Sequence, residues 1–271
     1  MSGKTSSSSN KAKIARRVIE VLEYFDDAHR EATVMDIVRR YNRPQSSTSE
    51  LLSSLVELGL LHKDPYSRAY SLTPRAALIG TSGQPELVRD GRIVRLMDRL
   101  VAQTGLSVAL HSMVGMDVQI VNWRHGPRAL AATRELAGGV KEPLARSAAG
   151  WLMLSTIARQ RCEGMVRRLN AEAEEQAKFA FPEMMARIDA CREPRHAFGP
   201  AGFGTGAEAL CGLVPRQPDG HPLVISLVYG KDDKVNPEAL FQCLRDAMVA
   251  CLPDPVPQHP QASVEHLSHA A

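Results

Sequence analysis

Apolar positions recur at helical spacing three times before residue 60. Ile14, Val18, Leu22 and Phe25 fall on one face of a first helix. Ile37, Val38 and Tyr41 turn inward from a short second helix, for which Thr33 supplies an N-cap. "NRPQ" then interrupts the pattern, because Pro44 disfavours helical geometry at Arg43. A third stripe, Leu51, Leu52, Leu55, Val56 and Leu58, is closed by Gly59, a natural left-handed stop. Ser47 and Glu50 have capping-box spacing at its start, in which each side chain satisfies an orphan N–H of the first turn. The period then changes to two. Residues 60–62 and 69–72 read as strands around the turn "KDPYSR", with Lys63 and Arg68 at its shoulders. Helix, helix, turn, helix, hairpin is the order of a winged helix-turn-helix.

A hinge at "TSGQPE" (residues 81–86) introduces a second pattern. One long amphipathic helix over 87–103 carries Ile93, Leu96 and Leu100 on one side and ends at Gly105. "SVALHSM", "DVQIVNW" and "ALAAT" alternate as three strands, and "LARSAAGWLMLSTIA" reads as a helix entered through Pro143. Helices follow over 159–178 and 182–192. "ALCGLVPRQPDGHPLVISLVYG" is a second hairpin with its turn at 218–220, and Asn236-Pro237-Glu238 opens a last helix. The Pro/His-rich segment 253–271 is expected to be disordered. The organisation expected is therefore a disordered basic arm (1–12), a winged helix-turn-helix domain (13–80), a linker with a long helix (81–104), a separate α/β domain (105–252) and the tail.

Charge sharpens this division. Residues 1–80 carry 12 Lys/Arg against 9 Asp/Glu, whereas the other 191 residues carry 21 of each. Residues 1–17 hold Lys4, Lys11, Lys13, Arg16 and Arg17 and no acid, which suits an arm that contacts phosphate, although a solvated, disordered tail is the commoner meaning of such a stretch. No apolar run approaches the roughly 18 residues of a membrane span, and no secretory signal opens the chain, so a cytoplasmic location is expected. The five cysteines are scattered without a C-x-x-C pair, so neither a disulfide framework nor a metal site is expected.

Little in the sequence supports catalysis. It has no G-x-S-x-G, no phosphate-cradling loop and no dinucleotide fingerprint, so no enzyme activity and no cofactor are expected. "GPAGFGTG" (residues 199–206) reads as a mobile loop lining a pocket. The start of "ARSAAGWLML" is the better binding candidate, because small residues leave N–H groups accessible where a helix N-terminus favours a carboxylate. Close helix–sheet packing explains Ala148, Ala149 and Gly150 equally well. Ser226, inside the apolar strand "LVISLVYG", is a hydroxyl that can face either a backbone acceptor or a ligand.

From about Lys13 to Leu252 the sequence resembles the IclR family of bacterial transcription regulators. The resemblance rests on "RRVIEVLEYF", "PQSSTSELLSSLVELGLLHKD" and "AYSLTPRAALIG", then on "LMDRLVAQTGLSVAL", "EPLARSAAGWLMLS" and "PDGHPLVISLVYG", in that order. It implies an α+β chain: a winged helix-turn-helix, a linker helix, and a C-terminal α/β domain of profilin/GAF-like topology with a mostly antiparallel sheet. It further implies a homodimer or homotetramer on a palindromic double-stranded operator, controlling a catabolic operon in response to a small organic acid. Ser147, Ala148, Ala149 and Ser226 match the family's effector positions. The residues expected at DNA are Gln45, Ser46, Ser47, Thr48 and Ser49 at the helix tip, with Arg16, Arg17, Arg43, Lys63 and Arg68 on the backbone. Gln45 is the candidate reader of adenine.

Several positions depart from the family's pattern. Gln45 stands where a base is usual, Glu50 for an Arg, Trp151 for a lysine and Val228 for a serine. Glu50 keeps open a member that binds small molecules, or is enzyme-like, and has lost sequence-specific DNA binding. The last two point to a less polar pocket, suited to an aromatic or bulkier acid.

Overall fold

The computed structural model describes residues 6–26, 29–79, 86–215 and 222–252. The chain divides into two compact units, Met1–Gln84 and Pro85–Ala271. The hinge segment up to Pro85, the turn at 218–220 and the tail from residue 253 lie outside the described residues.

In the first unit, α1 (Ser6–Tyr24), α2 (Val34–Tyr41) and α3 (Gln45–Glu57) precede the hairpin β1 (Leu61–Lys63) and β2 (Tyr70–Leu72), and α4 (Pro74–Leu78) closes it. Helix α1 starts at Ser6, inside the segment 1–12 expected as a disordered arm. Lys11, Ala12 and Lys13 are good helix formers, and extending a helix is easier than nucleating one. Its inward face is Val18, Val21 and Leu22, while Ile14 is 51% exposed. Thr33 caps α2 in a reciprocal box with Asp36, and the N–H and hydroxyl donated by Thr33 hold the Asp36 carboxyl below the usual range. Leu52 and Leu55 of α3 are fully buried against Val21, Ile37, Leu61 and Tyr70; each such leucine contributes about 2 kcal/mol. Leu58, expected in that stripe, is 60% exposed, because the helix ends there. At Gly59 (φ +70°) the chain reverses: Leu60 N–H reaches Leu55 O and Gly59 N–H reaches Val56 O, a Schellman closure. The hairpin pairs Leu61 with Leu72 and Lys63 with Tyr70, and Ala32 adds a bridge to Tyr70.

The second unit holds α5 (Glu86–Arg89), α6 (Arg92–Thr104), β3 (Ser107–Val114), β4 (Asp117–Arg124), β5 (Lys141–Pro143) and α7 (Ala148–Ser155). Then come α8 (Arg159–Glu172), α9 (Phe181–Ala190), β6 (His196–Pro200), β7 (Glu208–Leu213), β8 (Leu223–Tyr229) and α10 (Pro237–Cys251). The strands form one antiparallel sheet in the order β5-β4-β3-β8-β7-β6. Helices α6 and α10 cover one face through Leu96, Met97, Leu100 and Leu244. Helices α7, α8 and α9 cover the other through Leu152, Val166 and Ile188. Among the described residues no helix is long and apolar enough to cross a membrane.

Four expectations are corrected. The single helix 87–103 is broken at Gly91 (φ +73°), and Asp90 accepts the Arg92 N–H to start α6 afresh. Helix α6, expected as part of a linker, instead buries Ile93, Leu96 and Leu100 in the core of the second unit. "ALAAT" contains a 3-10 turn (Ala131–Thr133) and no strand. Alanines have low strand propensity, and the place beside β4 goes to β5. The helix expected from Leu144 opens with a 3-10 turn, Leu144–Arg146. Extended backbone at Ser147 separates it from α7.

Candidate functional site

Helix α3 begins directly after Pro44, whose φ of −59° suits a helix start, so the capping box expected of Ser47 and Glu50 does not form. Ser47 lies three residues beyond Pro44 and donates its hydroxyl to Pro44 O (3.3 Å). Thr48 donates both its N–H (3.1 Å) and its hydroxyl (2.9 Å) to the same oxygen. Thr48, expected among the DNA-facing hydroxyls, is buried beneath the tip and turned to the protein. Gln45, Ser46 and Glu50 are exposed, and Ser47 and Ser49 are half-buried.

Two expected phosphate contacts are engaged elsewhere. Arg17 donates from Nη2 to Ser47 Oγ (3.1 Å), tying α1 to the tip of α3. Arg43 forms an ion pair with Glu20 and lies 6.0 Å from the centre of the Tyr41 ring. Arg16 is exposed. On the hairpin turn, Asp64 Oδ1 accepts the N–H groups of Tyr66 and Ser67 (2.7 Å each), and these bonds hold its carboxyl below the usual range. That shape is completed by Arg68 in the left-handed region (φ +58°) and leaves Tyr66 95% exposed between Lys63 and Arg68. Lys63 Nζ sits 5.4 Å from the centre of the Tyr70 ring.

In the second unit, Ser147, Ala148 and Ala149 are buried together where α7 begins, and Ser226 is buried in β8, on which α7 packs. A Cβ on Gly150 would fall 1.9 Å from Leu144 O, so only glycine lets the 3-10 turn fold back on the helix. Ser226 Oγ lies 3.1 Å from Cys211 Sγ, and burial pushes that thiol up to about 12. The Ser147 hydroxyl is out of solvent with no hydrogen-bond partner among the described residues.

A cleft of about 280 Å³ opens in this unit, lined by Glu142, Arg146, Gly202, Thr205, Ala207 and Lys231 among others. The glycine loop thus lines a cleft as expected, while none of the four expected effector residues does. Glu142 points inward from β5 between outward Lys141 and Pro143. Phe203 N–H donates to its Oε2 (2.6 Å), and Oε1 closes no hydrogen bond among the described residues. Burial raises its pKa above the usual range, against the pull of the Phe203 N–H, of the nearby Ser147 hydroxyl and of Arg146. Beside it, the His111 ring stacks on Phe203 (5.9 Å between centres), its Nδ1 has no hydrogen-bond partner among the described residues, and burial pushes the imidazole down to about 4. Sequence reasoning passed over Glu142, Arg146, Lys231 and His111. The one available signal was an acid at the inward position of "KEP". Trp151 is plain packing at one end, donating Nε1 to Ala145 O (2.9 Å), yet its ring lies under Arg187 on a separate cleft.

The sequence pattern of the IclR helix-turn-helix domain matches residues 15–65. No curated protein matches the chain. Similar solved structures include an IclR homolog from Microbacterium hydrocarbonoxydans complexed with 4-hydroxybenzoate. It is 17% identical, covers 88% of this chain and 97% of its own, and has a TM-score of 0.57. The IclR transcriptional regulator of Alicyclobacillus acidocaldarius is 18% identical over 88% of this chain and 97% of that one (TM-score 0.56). The effector domain of an IclR regulator from Acinetobacter sp. ADP1 is 23% identical over 61% of this chain and 96% of that one (TM-score 0.55). At these identities the likeness establishes a shared fold.

Proposed function

We propose that this chain, an IclR-type regulator by its helix-turn-helix domain and its fold, binds a palindromic double-stranded operator and responds to a small organic acid. The observation carrying the DNA half is the exposed end of α3, with the Gln45 and Ser46 side chains making no hydrogen bond among the described residues, in a unit whose hairpin turn bears exposed Lys63 and Arg68. Gln45 reads a base edge, Ser46 and Ser49 meet phosphate or base edges, and Lys63, Arg68 and Arg16 position the backbone. Arg17 and Arg43 act first by holding α1 to the tip.

The acid half rests on the buried, small-residue start of α7, where the Ser147 hydroxyl closes no hydrogen bond among the described residues, beside a cleft bearing Arg146 and Lys231. The similar protein complexed with 4-hydroxybenzoate makes aromatic acids the first class to try. Control of a catabolic operon for such an acid follows, the ligand acting by preferring one arrangement of a homodimer or dimer of dimers. The second reading, a member without sequence-specific DNA binding, is favoured by Glu50 exposed on α3 and by the Glu20–Arg43 pair.

A mobility-shift series at several salt concentrations, on DNA flanking the protein's own gene, separates the two. Sequence-preferring binding that weakens when an aromatic acid is added, or strengthens, supports the first reading. Folded protein with no sequence preference leaves the second.

A further inference from the structure

We propose that Glu142 is a specificity-determining residue, whose free oxygen accepts a hydrogen bond from the ligand, so the cleft selects an acid that also carries a hydroxyl or ammonium group. This rests on reading the second unit as an acid sensor.

Glu142 is only 8% exposed, and its two oxygens have different surroundings. Oε2 is taken by the Phe203 N–H, which fixes the carboxylate against the glycine loop. Oε1 closes no hydrogen bond among the described residues, although the Ser147 hydroxyl pulls on the carboxylate from nearby, and a buried acceptor left in that state is costly. The loop approaches this oxygen because position 202 is glycine: a Cβ there would lie 1.9 Å from Oε1. The loop also holds strained backbone at Phe203 (φ +54°), and Thr205 donates its hydroxyl to Gly202 O (2.7 Å). Both Glu142 and Gly202 line the cleft, so the unsatisfied oxygen belongs to its wall.

The other charges on that wall are cationic. Arg146 is exposed and has no hydrogen bond or ion pair among the described residues, and Lys231 reaches Glu208 only at 3.9 Å. A plain carboxylate would satisfy these cations and leave Oε1 unpaired beside a second negative charge. An acid with a donor group satisfies both ends. Discrimination then arises as it does wherever a site built for a hydroxyl meets an analogue lacking one.

The test measures binding of benzoate, 4-hydroxybenzoate and 4-(aminomethyl)benzoate to the full chain by calorimetry, in wild type and Glu142→Gln. Glutamine keeps an oxygen for the Phe203 N–H and places an NH₂ where Oε1 was, turning acceptor into donor. Wild type should bind at least one donor-bearing acid at least about tenfold more tightly than benzoate. Which one it prefers tells hydroxyl from ammonium. In Glu142→Gln that ratio should fall towards one, with benzoate bound no worse than in wild type. Glu142→Asp, which withdraws the acceptor by one methylene, should also lower the ratio and serves if the first variant does not fold. Equal wild-type affinities, or a preference that survives both variants, would overturn the role of Glu142 and leave the acid sensor standing. Binding of none of the three at millimolar concentration would overturn both.

Discussion

Two helices of this chain start in the wake of a proline and without a side-chain cap. Helix α3 follows Pro44 directly, and α7 follows Pro143 by way of a 3-10 turn. Both open with small and hydroxyl residues, "QSSTS" and "RSAAG". Their surroundings are opposite. The tip of α3 stands in solvent at Gln45 and Ser46, whereas all eight residues of α7 are buried. A helix N-terminus offers the same N–H groups and partial positive charge in either place. What differs is access: a large molecule can reach the exposed start, whereas the buried one is closed to anything but a small molecule.

The comparison breaks most readily at α7. Gly150→Ala sets a Cβ against the Leu144 carbonyl and should destabilise the second unit by about 3 kcal/mol. Ser46→Ala on the exposed tip should stay within about 0.5 kcal/mol. Thermal unfolding followed by circular dichroism reads both; equal effects would mean that enclosure does not set the tolerance of these helix starts.

The next effect is titration behind α7. His111 has its pKa lowered from 6.5 to about 4, so the stability it confers is whole above pH 6.5 and is lost as pH falls through that window. Wild type should lose about 2 kcal/mol more than His111→Phe between pH 7 and pH 5, measured by urea unfolding. The raised pKa of Glu142 works in the other direction, its stability falling as pH rises, and is common to both proteins. Identical pH profiles would remove His111 from the account.

On the α3 side the effects are smaller. Thr48→Val, which deletes the buried bond to Pro44 O, should cost about 1 kcal/mol of stability with operator affinity changed less than twofold. A large loss of affinity with stability intact would return Thr48 to the DNA-facing set. Replacing Lys63 and Arg68 by Ala should lower the slope of log affinity against log salt by about one unit per phosphate contact, with folding unaffected. An unchanged slope would take the hairpin turn off the DNA.

The same contrast governs what the sequence could disclose. Thr33 as a cap, the Leu52–Leu55 stripe, the stop at Gly59 and the Asn236-Pro237 opening of α10 are all local, and the chain forms them where local chemistry predicts. The short strands β5 and β6 depend on partners more distant in sequence, β4 and β7, and neither was legible. The break at Gly91 was missed because its apolar spacing continues across it. Serine and threonine at the α3 tip were legible as a group, but not one by one. Pro44 rather than Ser47 sets the helix start, and that shift of register turns Thr48 inward. In the second unit the sequence pointed to the start of α7 and not to the cleft. Glu142, Arg146 and Lys231 come from three separate segments that meet only after the sheet is built.

The fit of Gly150 against Leu144 also bears on how such a protein could be retargeted. With α7 enclosed on every side, a new ligand preference cannot be written into the helix without disturbing the core around it. The loop over residues 199–206 has no such constraint at Gly204, where a Cβ would meet nothing within 4 Å, although its positive φ restricts the choice of residue. Libraries aimed at a new ligand preference should therefore vary the loop and the strand edge bearing Glu142, and leave the helix as it is.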